Sequence, residues 1–164
     1  MNSPASDLSD RFLWFVRGEQ RFAAAMEHLQ EVLPLPALRS LPASEPALAG
    51  LMVLRDTIVP VFDPCLMTGS TPRARRASAS AVVLRLAGRP VLALIAEEVG
   101  QVIRFSAHPV KTEFARLRAA FVGEVGTSSK DRTLLLNIPE FAALMGLTSA
   151  PSGASLPLNQ ITHN

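Results

Sequence analysis

Shifted by 70 residues against itself, the sequence lays Phe12–Leu33 over Val82–Ile103 without a gap, and this duplication limits the fold more than any other feature. Gly18 falls on Gly88, Ala23 on Ala93, Glu27 on Glu97 and Val32 on Val102. Between these identities the apolar positions keep phase: Leu13, Val16, Phe22, Leu29 and Leu33 meet Val83, Leu86, Leu92, Val99 and Ile103. The later parts of the two halves echo each other as well. Gly50 leads to the run Ile58–Asp63, and Gly123 leads to Leu134–Asn137, each a short apolar stretch ending in Asp or Asn. A chain built twice from one pattern predicts two similar lobes.

The pattern inside each half is that of strands. Phe12–Val16 and Ala81–Leu86 are short apolar runs closed by Gly-containing turns, so they read as the first strands of two hairpins. Val91–Ala96 is continuously apolar, as expected of a strand buried on both faces. Its counterpart Phe22–Met26 is Ala-rich, and the repeat assigns it to strand as well. Further strands are predicted at Leu51–Leu54, Ile58–Phe62, Val99–Ile103, Phe121–Val125 and Thr133–Asn137. Glu27–Val32 and Glu97–Val102 are expected to form short helical turns, and Phe141–Gly146, with Pro139 just ahead of it, a terminal helix. Residues 33–49 carry Pro34, Pro36, Pro42 and Pro46 and read as loop or broken edge. Thr68–Ser80 reads as the connection between lobes. Short strands at regular spacing, punctuated by Gly and Pro, indicate an all-β fold with a short C-terminal helix, arranged as two small barrels side by side. The expected boundaries are a disordered stretch at 1–10, one domain at 11–148 and a disordered tail at 149–164. Within the domain, the first lobe is expected over about 18–68 and the second over about 80–148, with strand 11–17 free to cross between them.

Composition narrows the function. A chain of 164 residues that is 48% hydrophobic can bury a core without disulfide or metal. Cys65 is the single cysteine, so no intrachain disulfide forms, and a reducing compartment is expected. No apolar stretch approaches a membrane span, and Met1–Asp10 carries no secretion signal, so the expectation is a cytoplasmic protein without membrane insertion. The net charge of +2 is a small excess, and the one basic cluster, Arg73, Arg75 and Arg76, has no aromatic residue interleaved. Stacking platforms for single strands need that combination, so no nucleic-acid partner is expected.

The side chains that carry chemistry are scattered. His28, His108 and His163 lack metal-ligand spacing. Neither phosphate cradle nor nucleophile elbow occurs. Cys65 has no nearby base in sequence and reads as a packing residue at a strand end. Glu97 and Glu98 are the adjacent acid pair of this stretch and read as surface or polar-contact residues. Nothing assembles a nucleophile, base and stabiliser, so neither catalysis nor a cofactor or metal is expected.

What remains distinctive is Gly50–Asp63, in which Arg55 and Asp56 form a charged tip between two apolar strands. An exposed Arg flanked by aliphatics is a favoured interface residue. Here the sequence resembles the CheW-like domain family, the coupling proteins of bacterial chemosensory arrays. That family shows a Gly, two residues, Asn-Leu-Arg-Gly, and then an apolar-Pro-Val/Ile-apolar-Asp run. Gly50, Leu54, Arg55, Ile58, Pro60, Val61 and Asp63 match it. The opening strand with its Gly18 turn, the stretch Val91–Val102 with Glu97, and Gly123 followed by Leu134–Asn137 match in order and spacing.

The resemblance implies two pseudo-symmetric, five-stranded, SH3-like β-barrels. It also implies a non-catalytic adaptor, with one surface for the regulatory domain of a CheA-type histidine kinase and another for the cytoplasmic tip of a chemoreceptor. Carried over residue by residue, the partner-binding candidates are Gly50, Leu54, Arg55, Asp56, Ile58, Val99 and Ile103. Gly50 is the backbone-shape position among them, while Val99 and Ile103 belong to the inter-lobe groove. The family's Asn and Gly around Leu-Arg are Val53 and Asp56 here. Asp tolerates positive φ less freely than Gly, and it adds a negative charge beside Arg55. That departure points to a specialised pathway, such as type IV pilus or surface sensing. It also leaves open a structural spacer that has lost kinase binding.

Overall fold

The computed structural model describes residues 10–42, 45–69, 74, 76–104, 120–125 and 132–147. In chain order these form β1 (Arg11–Arg17), β2 (Gln20–Ala25), a 3₁₀ turn (Met26–His28), β3 (Leu29–Pro34), β4 (Leu48–Leu54), β5 (Thr57–Phe62) and α1 (Pro64–Met67). There follow β6 (Ser80–Leu86), β7 (Arg89–Ala96), β8 (Glu98–Arg104), β9 (Phe121–Val125), β10 (Thr133–Leu136) and α2 (Ile138–Leu144). No described helix is long and apolar enough to cross a membrane. The expected disordered stretches at 1–10 and 149–164 lie almost wholly outside the described residues.

Two five-stranded sheets result, ordered β8-β1-β2-β10-β9 and β3-β6-β7-β5-β4. They are the same sheet built twice. Each has a hairpin at its centre, an antiparallel strand beside the hairpin's first member, and a parallel strand beside its second. The lobes are not successive stretches of chain, however. A first lobe over about 18–68 would join β2 to β3, β4 and β5, whereas β2 lies between β1 and β10. The whole hairpin β1–β2, not the first strand alone, completes the sheet of β8, β9 and β10. The hairpin β6–β7 in turn completes the sheet of β3, β4 and β5.

This exchange explains the continuous apolar runs. Alternate residues of a strand face opposite sides of its sheet, and here both sides are packed. On β6 and β7, Val82, Leu84, Leu92, Leu94 and Ala96 enter a core shared by the two sheets. Ala81, Val83, Ala93 and Ile95 point the other way, into a core enclosed by their own sheet. On β1 and β2, Leu13, Phe15, Phe22 and Ala24 enter the shared core, and Ala23 faces away with Leu135, Phe12 and Trp14. Phe15, Phe22 and Phe121 stack in series at centroid distances of 5.7 and 6.4 Å, and Phe62 meets Phe141 edge-on at 4.9 Å. The alanines of β2 therefore sit in a doubly buried strand, where packing overrides their helical preference.

The sheet of β3–β7 closes on itself. Its edges are β3 and β4, yet Arg39, beyond β3, bridges Leu51 of β4 through two backbone hydrogen bonds of 2.8 Å. The expected helical turn at Glu27–Val32 shrinks to the 3₁₀ turn, and the one at Glu97–Val102 is strand from Glu98 onward. Pairing with β1 (Phe15 with Val99, Leu13 with Val102) satisfies that backbone better than an isolated helical turn. The two runs that end in Asp and Asn both cap helices. Asp63 accepts a hydrogen bond from the Cys65 amide at the start of α1, a helix the sequence reading did not include. Asn137 does the same for Glu140 at the start of α2.

Candidate functional site

Two places concentrate polar chemistry, and the first was not anticipated. Arg17 continues the inward phase of β1 after Leu13 and Phe15, which puts a guanidinium where an aliphatic side chain would otherwise stand. It is 0% exposed. Its Nε and Nη2 donate to the two carboxylate oxygens of Asp63 at 3.0 and 2.9 Å, the bidentate geometry that suits arginine to carboxylates. Its Nη1 donates to Glu97 Oε1 at 2.6 Å, and more loosely to the Ala74 carbonyl at 3.4 Å. Glu97 Oε1 also accepts from the Gly18 amide at 3.2 Å, and the Cys65 thiol donates to the Arg17 carbonyl at 3.3 Å. No buried side-chain nitrogen or oxygen among the described residues lacks a partner.

The electrostatics follow from these contacts. The hydrogen bond to Asp63 raises the Arg17 pKa against the opposing effect of burial, so the cation is permanent. Burial pushes the Glu97 carboxyl up. The hydrogen bonds from Arg17 and Gly18, with the charges of Arg17 and Arg76, outweigh it and hold the group below the usual carboxylate range. Glu97 is thus no ordinary surface acid, in contrast to its exposed neighbour Glu98.

The second place is the β4–β5 hairpin. Its two-residue turn places Arg55 and Asp56 at φ +44° and +69°, the paired left-handed conformation of a tight hairpin turn. Aspartate accommodates this readily; arginine does so at a cost. Arg55 is held there by a fork of hydrogen bonds, Nη1 and Nη2 donating to the two Glu31 oxygens at 2.6 and 2.9 Å. That ion pair ties the turn to β3 across the closed edge of the barrel, and the hydrogen bond from Arg55 lowers the Glu31 pKa. The carboxylate that meets Arg55 is therefore that of Glu31, not of its neighbour Asp56. Beneath the tip, Val53 and Ile58 are a cross-strand pair facing outward, 66% and 58% exposed, with Leu51 and Pro60 paired behind them.

The other candidates divide. Leu54 is 8% exposed and packs in the core enclosed by its own sheet, so it supports the turn and offers no contact surface. A Cβ on Gly50 would stand 2.7 Å from the Arg39 carbonyl oxygen, which makes Gly50 a shape position. Gly50→Ala is accordingly expected to cost about 1–3 kcal/mol, read as a lowered urea midpoint; an unchanged midpoint would contradict the close approach. Val99 packs against the shared core and Ile103 is half-buried, both on β8 at the edge of the opposite sheet. The structure does not bring them to the β4–β5 hairpin. Arg76 extends outward, its Nε 3.9 Å from Glu97 Oε2, while Arg73, Arg75, His108 and His163 fall outside the described residues. Cys65 is buried in α1, and the described residues contain no cluster able to hold a metal.

The chain matches the model of the CheW-like domain over residues 11–144. No curated protein matches it. Among solved structures it is similar to the scaffolding protein TtCheW from Thermoanaerobacter tengcongensis. The TM-score is 0.66 at 19% identity, over 79% of this chain and 89% of that one. At that identity the likeness speaks for the fold alone.

Proposed function

The chain belongs to the CheW-like domain family, and from that premise we propose that it is a non-catalytic adaptor coupling chemoreceptors to a CheA-type histidine kinase. The observation that carries the reading is the family match across nearly all of the described structure. The geometry supports it: an exposed aliphatic pair, Val53 and Ile58, lies directly beneath the charged tip of a hairpin tied to β3 by the Arg55–Glu31 pair. Aliphatic contact with a flanking Arg suits modest, reversible affinity. Such a protein works by binding energy alone. It shifts the kinase between states only by holding one of them more tightly, and two weak interfaces on one body gain from effective concentration in an array. Its place would be in the cytoplasm, at membrane-associated receptors.

Titration calorimetry with the regulatory domain of the kinase encoded nearest this chain tests the reading. Micromolar or tighter binding, weakened by Arg55→Ala, is the expected result. Absence of binding to that kinase and to every other CheA-type kinase of the same cell would overturn it. Receptor binding without kinase binding would instead establish a structural spacer, a reading favoured by the engagement of Arg55 with Glu31. Val53 and Asp56, where the family has Asn and Gly, further support service in a specialised pathway. Restoration of swimming chemotaxis in a strain lacking its own coupling protein would contradict that refinement.

A further inference from the structure

The Arg17 network lies where the chain passes between lobes. Arg17 ends β1 in one sheet, Asp63 follows β5 in the other, and Glu97 is the single residue between β7 of the second sheet and β8 of the first. One guanidinium therefore holds both lobes and the crossover at once, through three hydrogen bonds of 2.6–3.0 Å. The crossover is fixed a second time by its backbone, the Glu97 amide donating to the Val16 carbonyl at 2.7 Å.

The repeat supplies an internal control. At the equivalent joint, Arg17 corresponds to Ala87, Asp63 to Asn137 and Glu97 to Glu27. There Asn137 still caps its helix, and Glu27 lies outside on a three-residue turn. The fold thus makes the same joint without a buried cation, so the charges at the first joint are not what the topology requires. A buried ion network adds little net stability over an apolar replacement, and in some proteins it serves instead to select one arrangement, the one in which all its hydrogen bonds are satisfied.

We propose that Arg17 is the positioning residue of the inter-lobe joint, clamping Asp63 and Glu97 so that the two lobes hold one fixed angle. Its importance for signalling rests on the adaptor reading, since an adaptor transmits geometry only if its two docking surfaces keep their relative orientation.

The test uses the full chain with Cys65→Ser, which retains a donor to the Arg17 carbonyl, and spin labels at Arg89→Cys and Gln101→Cys, exposed positions on opposite lobes. Pulsed electron resonance on this background is expected to give one narrow distance. The neutral combination Arg17→Met, Asp63→Asn and Glu97→Gln is expected to fold with a similar denaturant midpoint and to widen the distribution at least twofold. Arg17→Lys should fall between, because an ammonium cannot reproduce the fork to Asp63 together with the bond to Glu97. An unchanged distribution in the folded neutral variant would overturn the proposal. Should that variant not fold, an unchanged distribution in Arg17→Lys would do so. Kinase and receptor binding by the unsubstituted chain is measured in parallel. Its absence would sink the adaptor reading alone, and the distances would judge the clamp regardless.

Discussion

Arg17→Met on its own is expected to destabilise the fold by about 3–5 kcal/mol, the usual cost of removing one member of a buried ionic network. The loss is large because of what stays behind. Asp63 and Glu97, 8% and 12% exposed in their side chains, would face each other without the cation that now separates them. In a chain of this length each kcal/mol moves the melting midpoint by about 2–4 °C, so calorimetry resolves the effect easily. The pH dependence gives the sharper signature. In the unsubstituted protein the folded Glu97 carboxyl lies below its ordinary value, so its contribution is complete at neutral pH and is lost as pH falls through that lowered value. In the variant the charge of Arg17 is gone, the amide of Gly18 and the exposed Arg76, 3.9 Å away, remain, and burial, the largest single influence on this carboxyl, is expected to dominate. The folded carboxyl then lies above its ordinary value, and the penalty is present at neutral pH and relieved on acidification. The stability gap between the two proteins should therefore narrow from pH 7 to about pH 4, near the ordinary carboxylate value. A gap that stays constant over that range would show that lost packing, not unpaired charge, is the cause.

The two-lobed architecture was legible because the duplication preserves phase. Ala23 and Ala93, aligned by the repeat, occupy equivalent places against the parallel strands β10 and β5. The exchange of hairpins was not legible. A doubly buried strand needs apolar residues on both faces whichever half supplies its neighbours, so Phe22–Ala25 reads the same beside β3–β5 as beside β10. Arg17 left a faint signal. It stands two residues after Phe15 and four after Leu13, in the inward phase, where its counterpart in the repeat is Ala87. Ending the strand at Val16 and giving Arg17 to the Gly18 turn hid the partner that also takes Glu97 out of the surface. The hairpin tip was read correctly as charged and exposed, but the pairing of Arg55 with Glu31 depends on barrel closure. That closure brings together residues 24 apart in sequence, from opposite sheet edges. Leu54 was misplaced for a plainer reason. Strand alternation puts Leu54 and Met52 inward, with Val59 and Val61 opposite, which leaves Val53 and Ile58 outside.

That alternation yields the second large effect. On the adaptor reading proposed above, Val53→Asp with Ile58→Asp is expected to weaken kinase binding by about 30-fold or more, the loss typical of a pair of contacts worth about 2 kcal/mol or more at the centre of an interface. Both side chains are more than half exposed in the free protein, so the substitutions remove little packing from the fold. Their facing carboxylates would carry a modest repulsion, which a urea titration of the unbound protein measures directly. The doubly substituted Ser variant separates apolar contact from charge: it removes the aliphatic surface without adding like charges across the pair. If Val53 and Ile58 form the docking surface, the Ser variant should also lose affinity, and Arg89→Glu, at the exposed start of β7 in the same sheet, should not. Loss by the Asp variant alone would indicate charge repulsion at a distance, with the contact elsewhere on the barrel. Unchanged affinity in both would remove the β4–β5 hairpin from the kinase interface and leave β8, with Val102 exposed beside the half-buried Val99 and Ile103, as the surface to test.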